Sequence, residues 1–483
     1  MCNKISRRKF IGQSCAAMGG ATMLSSIASL GVINTLAARP HIIGNTGDYK
    51  AMVCVLLAGG ADSYNMLIPT ESSEYADYVA TRGPLALDKD ADPAQVLDLN
   101  YSDNGRTFGV HSAMPGIQQM FNNNDLSFVS NVGSLVEPII NKAEYDAEIK
   151  KRPLGLYSHS DQSMQWQTSV ADTRSAVGFA GRIADILNDM NTIPEISMNI
   201  SLSGKNRFQS GTSGSEYSIS NSTTDLNIGL DGFSSWWSNS GYLNLSKNNA
   251  IDSLAEQQYI NAFEKTIGAQ TKATSESNEI FKVAFQKLIP ITTPFSDSRL
   301  SDDLKKIAEV ISINQHLGAN RQVFYVTLGG WDHHNDLIGS QNSLLPVLDN
   351  ALTEFNAALT EIGMKDDVVT FTISDFARTL TTNGSGSDHA WGGNCMIMGG
   401  PVDGGKVKGD YPSLSLANEL NLSDRGRLLP TTSVDEFYAE LALWFGASPN
   451  DLEYVLPNLC NFYSTSGCPS PLPGGYMPIG LFA

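Results

Sequence analysis

The chain has 483 residues, of which 41% are hydrophobic and 17% are charged, so it is long enough for one large α/β domain or two ordinary domains. Its formal net charge of −18 argues against binding to nucleic acid or to an anionic membrane surface, because both repel an acidic protein. Recurrent apolar runs exclude a disordered chain, and abundant Gly, Ser, Thr and Asn favour an exported globular protein with many polar loops.

The first 38 residues have the pattern of a twin-arginine export signal. The segment SRRKFI at 6–11 contains paired arginines, and the Ala/Gly/Ser-rich stretch that follows contains no acidic residue. We predict a signal peptide at 1–38, recognised by the twin-arginine export machinery, and a periplasmic or secreted mature protein. A membrane anchor is the alternative, but the Gly and Ser content of this segment would make it a poor membrane-spanning helix. Cleavage of the signal peptide would remove four positive charges and bring the net charge of the mature chain to −22. We expect no stable membrane insertion after this cleavage.

Short β-branched and aromatic runs bounded by Gly and Asp predict buried strands along the rest of the chain. These runs cover 51–58, 126–132, 322–328, 367–374 and 394–399. One-sided apolar spacing predicts helices between and after them, at 302–318, 343–362 and 434–446. The alternation predicts the fold class α/β, with a doubly wound, mainly parallel sheet and helices on both faces.

We predict that 39–483 form a single large domain, with a polar Ser/Asn-rich insert at about 195–250 and a loop-rich tail at 457–483. Cys54 and Cys395 lie in apolar runs and are expected to be buried thiols. Cys460 and Cys468 lie in the tail, where an oxidising compartment favours a disulfide. Two free thiols are the alternative.

Acidic side chains follow three of the predicted strands. Asp62, Asp332 and Asp375 come directly after the strand or within a few residues of its end, and Gly-Gly precedes two of them. Ligands bind at the carboxyl ends of strands in open α/β sheets. One such acid is usually a helix cap, but carboxylates gathered at one edge repel each other unless a cation lies among them.

Most of the seven histidines fall in polar segments beside Asp or Ser. His333 and His334 follow Asp332, His389 follows Asp388, and His159 lies in SHSDQ. Asp and His ligands suit zinc, manganese or iron, whereas carboxylate-rich sites suit magnesium or calcium. The alternative is a set of hydrogen-bonded loop histidines with no metal.

Five segments together resemble the domain-of-unknown-function family 1501, in matching order from about residue 48 to 480. They are GGADSYNMLIP, SHSDQSMQWQT, GGWDHHND, SDFARTLTTNGSGSDHAWGGNCMIMGG and ELALWFGASPNDLEYVLPNL. That family is usually exported by the twin-arginine route and is placed near sulfatases and alkaline phosphatases, in the alkaline phosphatase superfamily. The resemblance implies one or two divalent metal ions (zinc, manganese, magnesium or calcium) at the strand ends. It implies the ligands Asp62, Asp332, His334, Asp375 and His389.

The sequence also departs from the superfamily pattern. Phe376 stands after Asp375, where His or Asn usually supplies a second-metal ligand, and no Cys-x-Pro-x-Arg motif exists for a formylglycine nucleophile. Ser158, beside His159, is the best candidate nucleophile, and the alternative is that these two residues only order a loop.

We assign Ser158, His159 and Arg378 to catalysis and further residues to substrate binding. Arg378 is either a clamp for an anionic oxygen or the partner of a neighbouring Asp. Asn383 and Asn65 are assigned to the substrate pocket, and Trp391 belongs either to that pocket or to the core.

The predicted function is an exported metal-dependent hydrolase of phosphate or sulfate esters, on a small molecule or a glycan. The alternative is a non-catalytic secreted protein that binds polysaccharide or a partner protein and uses a metal for stability. The sequence determines neither the substrate nor the oligomeric state.

Overall fold

The structure is a computed structural model, and it describes residues 48–212, 216–221, 276–463 and 479–483. The predicted signal peptide and Cys468 lie outside these residues, so the export signal and the Cys460–Cys468 disulfide stay predictions. Cys54 and Cys395 are buried free thiols, which confirms their assignment.

The strands and helices alternate along the chain. The strands are β1 (Lys50–Leu57), β2 (Leu67–Pro69), β3 (Val96–Asp103), β4 (Arg106–His111), β5 (Leu126–Gly133), β6 (Asn199–Ser201), β7 (Tyr217–Ser218), β8 (Arg321–Leu328), β9 (Val368–Ser374), β10 (Gly393–Met398), β11 (Val407–Lys408) and β12 (Thr432–Ser433). The helices are α1 (Ser72–Arg82), α2 (Pro115–Asn122), α3 (Lys142–Asp146), α4 (His159–Thr168), α5 (Phe179–Leu187), α6 (Arg299–Ser312), α7 (Leu337–Glu361), α8 (Val434–Phe445) and α9 (Leu452–Val455). A further helical stretch covers 276–285.

The main sheet has the order β11-β5-β10-β9-β1-β8-β6-β7, with β12 also paired to β5. Strand β10 runs antiparallel to both β5 and β9, and the other pairings in this sheet are parallel. Strands β2, β4 and β3 form a small antiparallel sheet. The predicted mainly parallel α/β sheet is therefore confirmed.

Both faces of the main sheet are covered. Val53 and Val55 of β1 belong to one apolar core with residues of α6 and α7. Met52 and Cys54 point to the opposite face and belong to a second core with residues of α5 and α8. Burial on both faces explains why β1 is a continuous apolar run rather than an alternating one. It confirms the doubly wound arrangement.

Among the predicted helices and strands, α7 has an observed start that differs clearly from its predicted one. The apolar period predicts a start at 343, but the helix begins at Leu337 and contains Pro346. Its first two turns bury Leu337 and Gln341, and their two apolar residues, Leu337 and Ile338, are adjacent and give no detectable period.

The start of the predicted insert belongs to the main sheet. Strands β6 and β7 extend that sheet beyond β8 in parallel, and Asn199 is buried while donating to the carbonyls of Ala180 and Gln209. A polar residue suits this short strand because the Asn199 amide nitrogen finds two carbonyl acceptors. The part of the insert from 222 to 250 lies outside the described residues. Within the described part of the chain, no helix is long and apolar enough to cross a membrane.

Candidate metal centre

The topology brings four chain segments to one edge of the sheet. Strands β8, β1 and β9 are adjacent and parallel, so Asp332, after β8, and Asp375, after β9, leave the sheet at the same edge. Strand β10 runs the other way, so His389, four residues before it, returns to that edge. His159, the first residue of α4, completes the group.

Three imidazoles and one carboxylate converge there. The Nε2 atoms of His334 and His389 are 2.8 Å apart. Asp332 Oδ1 lies 3.2 Å from His334 Nε2 and 3.4 Å from His389 Nε2, and Asp332 Oδ2 lies 3.6 Å from His159 Nε2. The Asp332 side chain is 48% exposed, so the centre is open to solvent.

The second nitrogen of each imidazole faces an oxygen. His159 Nδ1 lies 2.8 Å from Asp375 Oδ2, His334 Nδ1 lies 3.2 Å from Asp388 Oδ1, and His389 Nδ1 lies 2.7 Å from the Tyr157 carbonyl. A carbonyl oxygen only accepts, as does an ionised carboxylate, so each Nδ1 carries the proton. In the neutral form of each ring, the Nε2 atom then presents a lone pair.

A cation between these atoms would stabilise lone pairs that face one another and a carboxylate. Around a tetrahedral zinc ion with Zn–N bonds of about 2.0–2.1 Å, neighbouring ligand atoms are about 3.3 Å apart. The distances from Asp332 to the two imidazoles, 3.2 and 3.4 Å, match this spacing, whereas the 2.8 Å between the His334 and His389 nitrogens is shorter. Among the described residues, His159, Asp332 and His389 each offer one ligand atom, and these three atoms all lie within 4.8 Å of one another.

Burial and the charge of Arg378 affect the pKa values of two of these donors, His389 and Asp332. Burial lowers the pKa of His389, and the nearby Arg378 charge lowers it further. Burial acts to raise the pKa of Asp332, but the hydrogen bond and charge of Arg378 outweigh it and the pKa is lowered. A neutral imidazole and an ionised carboxylate are the forms that bind a metal.

The residues around these donors form an orienting layer. Burial raises the pKa of Asp375, although its hydrogen bond to His159 opposes this, and Asp375 Oδ2 also accepts from the Gly59 amide at 3.2 Å. Carboxylates and carbonyls that accept from a ligand imidazole fix its ring and its tautomer. Asp375 was predicted to be a direct ligand, but its contact with Nδ1 of His159 gives it this orienting position instead.

The conformation and surroundings of Gly59 explain why the first residue of the Gly-Gly motif after β1 is a glycine. Its φ is +122°, and a Cβ on it would lie 2.5 Å from the Asp332 amide nitrogen. A side chain at this position would therefore displace the loop that carries Asp332.

Arg378 lies beneath the centre, fully buried. Its guanidinium donates to the carbonyls of Gly60 (2.7 Å), Ser387 (3.0 Å) and Gly59 (2.6 Å), and to Asp332 Oδ1. These contacts agree with the second of the two predicted roles, in which Arg378 is the partner of a neighbouring Asp. The anion clamp predicted for Arg378 is contradicted because its donors are occupied and shielded from solvent.

Asp62 and Asn65 lie apart from the centre. Asp62 is fully buried, and its Oδ2 accepts from Arg82 Nη2 at 2.6 Å, so an arginine supplies the cation that the sequence suggested a metal would supply. The Asn65 amide donates to the Leu85 carbonyl, and its oxygen accepts from Arg82. These contacts correct the metal-ligand and substrate-binding assignments, since both side chains are internal.

Asn383 is exposed but supports its own loop. Its amide nitrogen donates to Asp388 Oδ1 and to the His334 carbonyl, both at 3.0 Å, and its oxygen accepts from the Gly386 amide. It therefore holds Asp388 against His334 rather than facing a substrate. Trp391 is buried, and its indole donates to the Ser134 carbonyl, as its core interpretation predicts.

Phe376 and Tyr157 shape the side of the centre next to His389. The Phe376 ring is buried, 4.4 Å from the His389 ring and 4.7 Å from the His159 ring. Tyr157 has a φ of +70°, which is strained for a bulky residue. Its carbonyl contact with His389 was absent from the sequence interpretation, and no local motif signals it.

Ser158 precedes His159 and occupies the N-cap position of α4 without capping it. Its hydroxyl contacts the Ser160 hydroxyl at 3.1 Å. The structure thus places the candidate nucleophile next in the chain to a candidate ligand, with a hydroxyl that has no capping role.

These contacts define a candidate metal centre at the carboxyl edge of a mostly parallel α/β sheet. Residues 296–451 match the family model described as "Protein of unknown function (DUF1501)", which confirms the family resemblance over that part of the chain. The matched range contains Asp332, His334, Asp375 and His389, but it does not include His159.

Solved structures similar to the chain have sequence identities of about one tenth. Ps i-CgsB in complex with k-i-k-neocarrahexaose has 10% identity and a TM-score of 0.30, with 84% of this chain and 74% of that chain covered. The PsFucS1 sulfatase from Pseudoalteromonas sp. has 10% identity and a TM-score of 0.34, with coverage of 88% and 72%. The alkaline phosphatase PafA has 9% identity and a TM-score of 0.29, with coverage of 69% and 64%, the last being less than two thirds of that chain. A comparison with curated proteins finds no match.

Proposed function

We propose that the protein is an exported, metal-dependent hydrolase of phosphate or sulfate esters, acting on a small molecule or a glycan. The observation that supports this most is the convergence of three imidazole Nε2 atoms on Asp332, with each Nδ1 held by an oxygen. His159, Asp332, His334 and His389 would hold one divalent ion. Such an ion, when bound, polarises an anionic ester and stabilises the leaving oxygen.

The protein's own residues would keep this donor set in place. Asp375 orients His159, Asp388 orients His334, and the Tyr157 carbonyl orients His389. Asp332 stays ionised beside the buried Arg378. Because the donors are fixed before an ion binds, little reorganisation opposes binding.

Metal removal tests this proposal. We expect the folded protein to retain about one equivalent of a divalent ion and to hydrolyse at least one ester in a panel of aryl and sugar phosphates and sulfates. Dialysis against a chelator should abolish that hydrolysis, and the removed ion should restore it. The measurements are elemental analysis and product release, and a protein without bound metal, or hydrolysis that survives metal removal, would contradict the proposal.

Ser158 is our candidate for the attacking group. Its hydroxyl is free of a capping role and adjoins His159 in the chain, and a neighbouring cation lowers the pKa of a hydroxyl nucleophile. We expect Ser158→Ala to keep its metal and to lose on the order of 10³-fold or more in kcat. Ser343→Ala, an exposed serine of α7 whose hydroxyl donates to the Gly339 carbonyl, is the matched control, and a Ser158→Ala enzyme with unchanged kcat would leave water as the nucleophile.

A non-catalytic binding protein is the second candidate function, and Phe376 favours it. Phe376 is packed against His159 and His389 at the position where the resembled superfamily has a second-metal ligand. A stoichiometric ion with no hydrolysis of any ester in the panel would support this function, since the metal would then serve stability or binding.

Export by the twin-arginine route to the periplasm or beyond is part of the proposal and rests on the paired arginines at 7 and 8 and on the acid-free stretch that follows. That route carries folded chains, so a metal could be loaded before export.

A further inference from the structure

Arg427 lies beside the candidate metal centre and is held there by two contacts. Its Nε donates to the His389 carbonyl at 3.0 Å, and its guanidinium carbon lies 4.2 Å from the centre of the Tyr157 ring. Tyr157 in turn accepts the hydrogen bond from His389 Nδ1. Arg427 is therefore fixed both to His389 and to Tyr157, whose carbonyl orients the His389 ring.

The two terminal nitrogens of Arg427 make no hydrogen bond or ion pair with the residues that the structure describes. Its neighbours differ in this respect, because Arg378 pairs with Asp332 and Arg425 pairs with Asp388 at 2.8 Å. The chain has 50 acidic and 32 basic residues, so carboxylate partners are plentiful. A half-buried arginine with no ion-pair partner among the described residues keeps its terminal donors for an anion from outside the chain.

We propose that Arg427 binds the non-bridging oxygens of the phosphate or sulfate group at the metal centre. This inference rests on the proposed hydrolase function and assigns its anion subsite. Stacking on Tyr157 holds the guanidinium without using its N–H donors, and the planar fork of an arginine matches two oxygens of a tetrahedral anion. Arg427 thus takes the role that the sequence offered to Arg378.

Anion binding to the metal-loaded protein tests the subsite. Inorganic phosphate and inorganic sulfate would be titrated calorimetrically into wild type, Arg427→Gln and Arg427→Lys, each loaded with the metal that wild type retains. We expect Arg427→Gln to weaken binding of at least one anion by roughly 10- to 100-fold, the loss typical of charged hydrogen bonds, with metal content unchanged. The lysine variant keeps the charge but not the fork, and should fall in between.

Arg299→Gln is the matched control, because it makes the same charge change on a side chain of α6 that is 73% exposed. The inference is overturned if Arg427→Gln binds both anions as wild type does, or if metal-loaded wild type binds neither. The outcome is separate from the hydrolase test. A protein that hydrolyses no ester but loses anion affinity in Arg427→Gln would keep the subsite and lose the proposed reaction.

Discussion

Replacing Asp332 with asparagine is expected to remove metal binding and, with it, any hydrolytic activity. Asp332 supplies the carboxylate toward which the three Nε2 atoms point. Loss of an orienting residue costs roughly 10- to 100-fold in metal affinity, so loss of the ligand charge itself should cost more than about 100-fold. Asparagine keeps the size and an acceptor for Arg378, which limits the effect to the negative charge. Competition with a metal-binding dye measures the affinity.

Asp336→Asn is the matched control for this variant. Asp336 lies four residues further on, in the left-handed region at φ +46° before α7, which asparagine tolerates well. The two variants therefore make the same chemical change in one loop, at and away from the donor set. Wild-type metal affinity in Asp332→Asn would show that the imidazoles and this carboxylate do not share an ion.

The strand pattern predicted most of the fold because the sheet is buried on both faces. The run 51–58 is apolar throughout and 322–328 is mostly apolar, and these are the observed β1 and β8 to within a residue or two. Order and direction then follow from the α/β alternation, which places strand ends at one edge. The antiparallel β10 left no local signal, although it brings His389 back to that edge.

The site was predicted less completely, since its arrangement depends on long-range partners. Asp332, His334 and His389 were proposed as ligands and do converge. The sequence could not show that Arg82, twenty residues beyond Asp62, would neutralise that acid. Nor could it show that α4 would direct His159 toward Asp375, since those residues are far apart in the chain. The orienting role of Asp388 could have been predicted, because Asp388 directly precedes the proposed ligand His389.

The buried layer under the centre explains why these residues stay in place before any ion binds. Arg378 joins the chain after β1, through Gly59 and Gly60, to the chain after β8, through Asp332. It also joins both to the loop at Ser387, just before His389. One side chain therefore connects the two segments that supply Asp332 and His389 to the chain after β1.

Replacing Arg378 with lysine is accordingly expected to destabilise the protein strongly, even without metal. Lysine keeps the charge but offers one ammonium group in place of a fork, so several buried carbonyls lose their donor. Each unsatisfied buried group costs about 1–3 kcal/mol, and breaking a buried charged network costs about 3–5 kcal/mol. We therefore expect the free energy of unfolding of the chelated protein to fall by about 3–5 kcal/mol, measured by denaturant titration.

Arg299→Lys provides the comparison, because an exposed arginine should change the free energy of unfolding by no more than about 0.5 kcal/mol. Performing both titrations in chelator separates the packing role of Arg378 from any contribution of a bound ion. An anion clamp at the surface would behave differently, since its replacement by lysine would lower substrate affinity and leave stability intact. If Arg378→Lys lowered the free energy of unfolding by less than about 1 kcal/mol, Arg378 would again be a candidate for the anion clamp. The reason for assigning that role to Arg427 instead would then be lost.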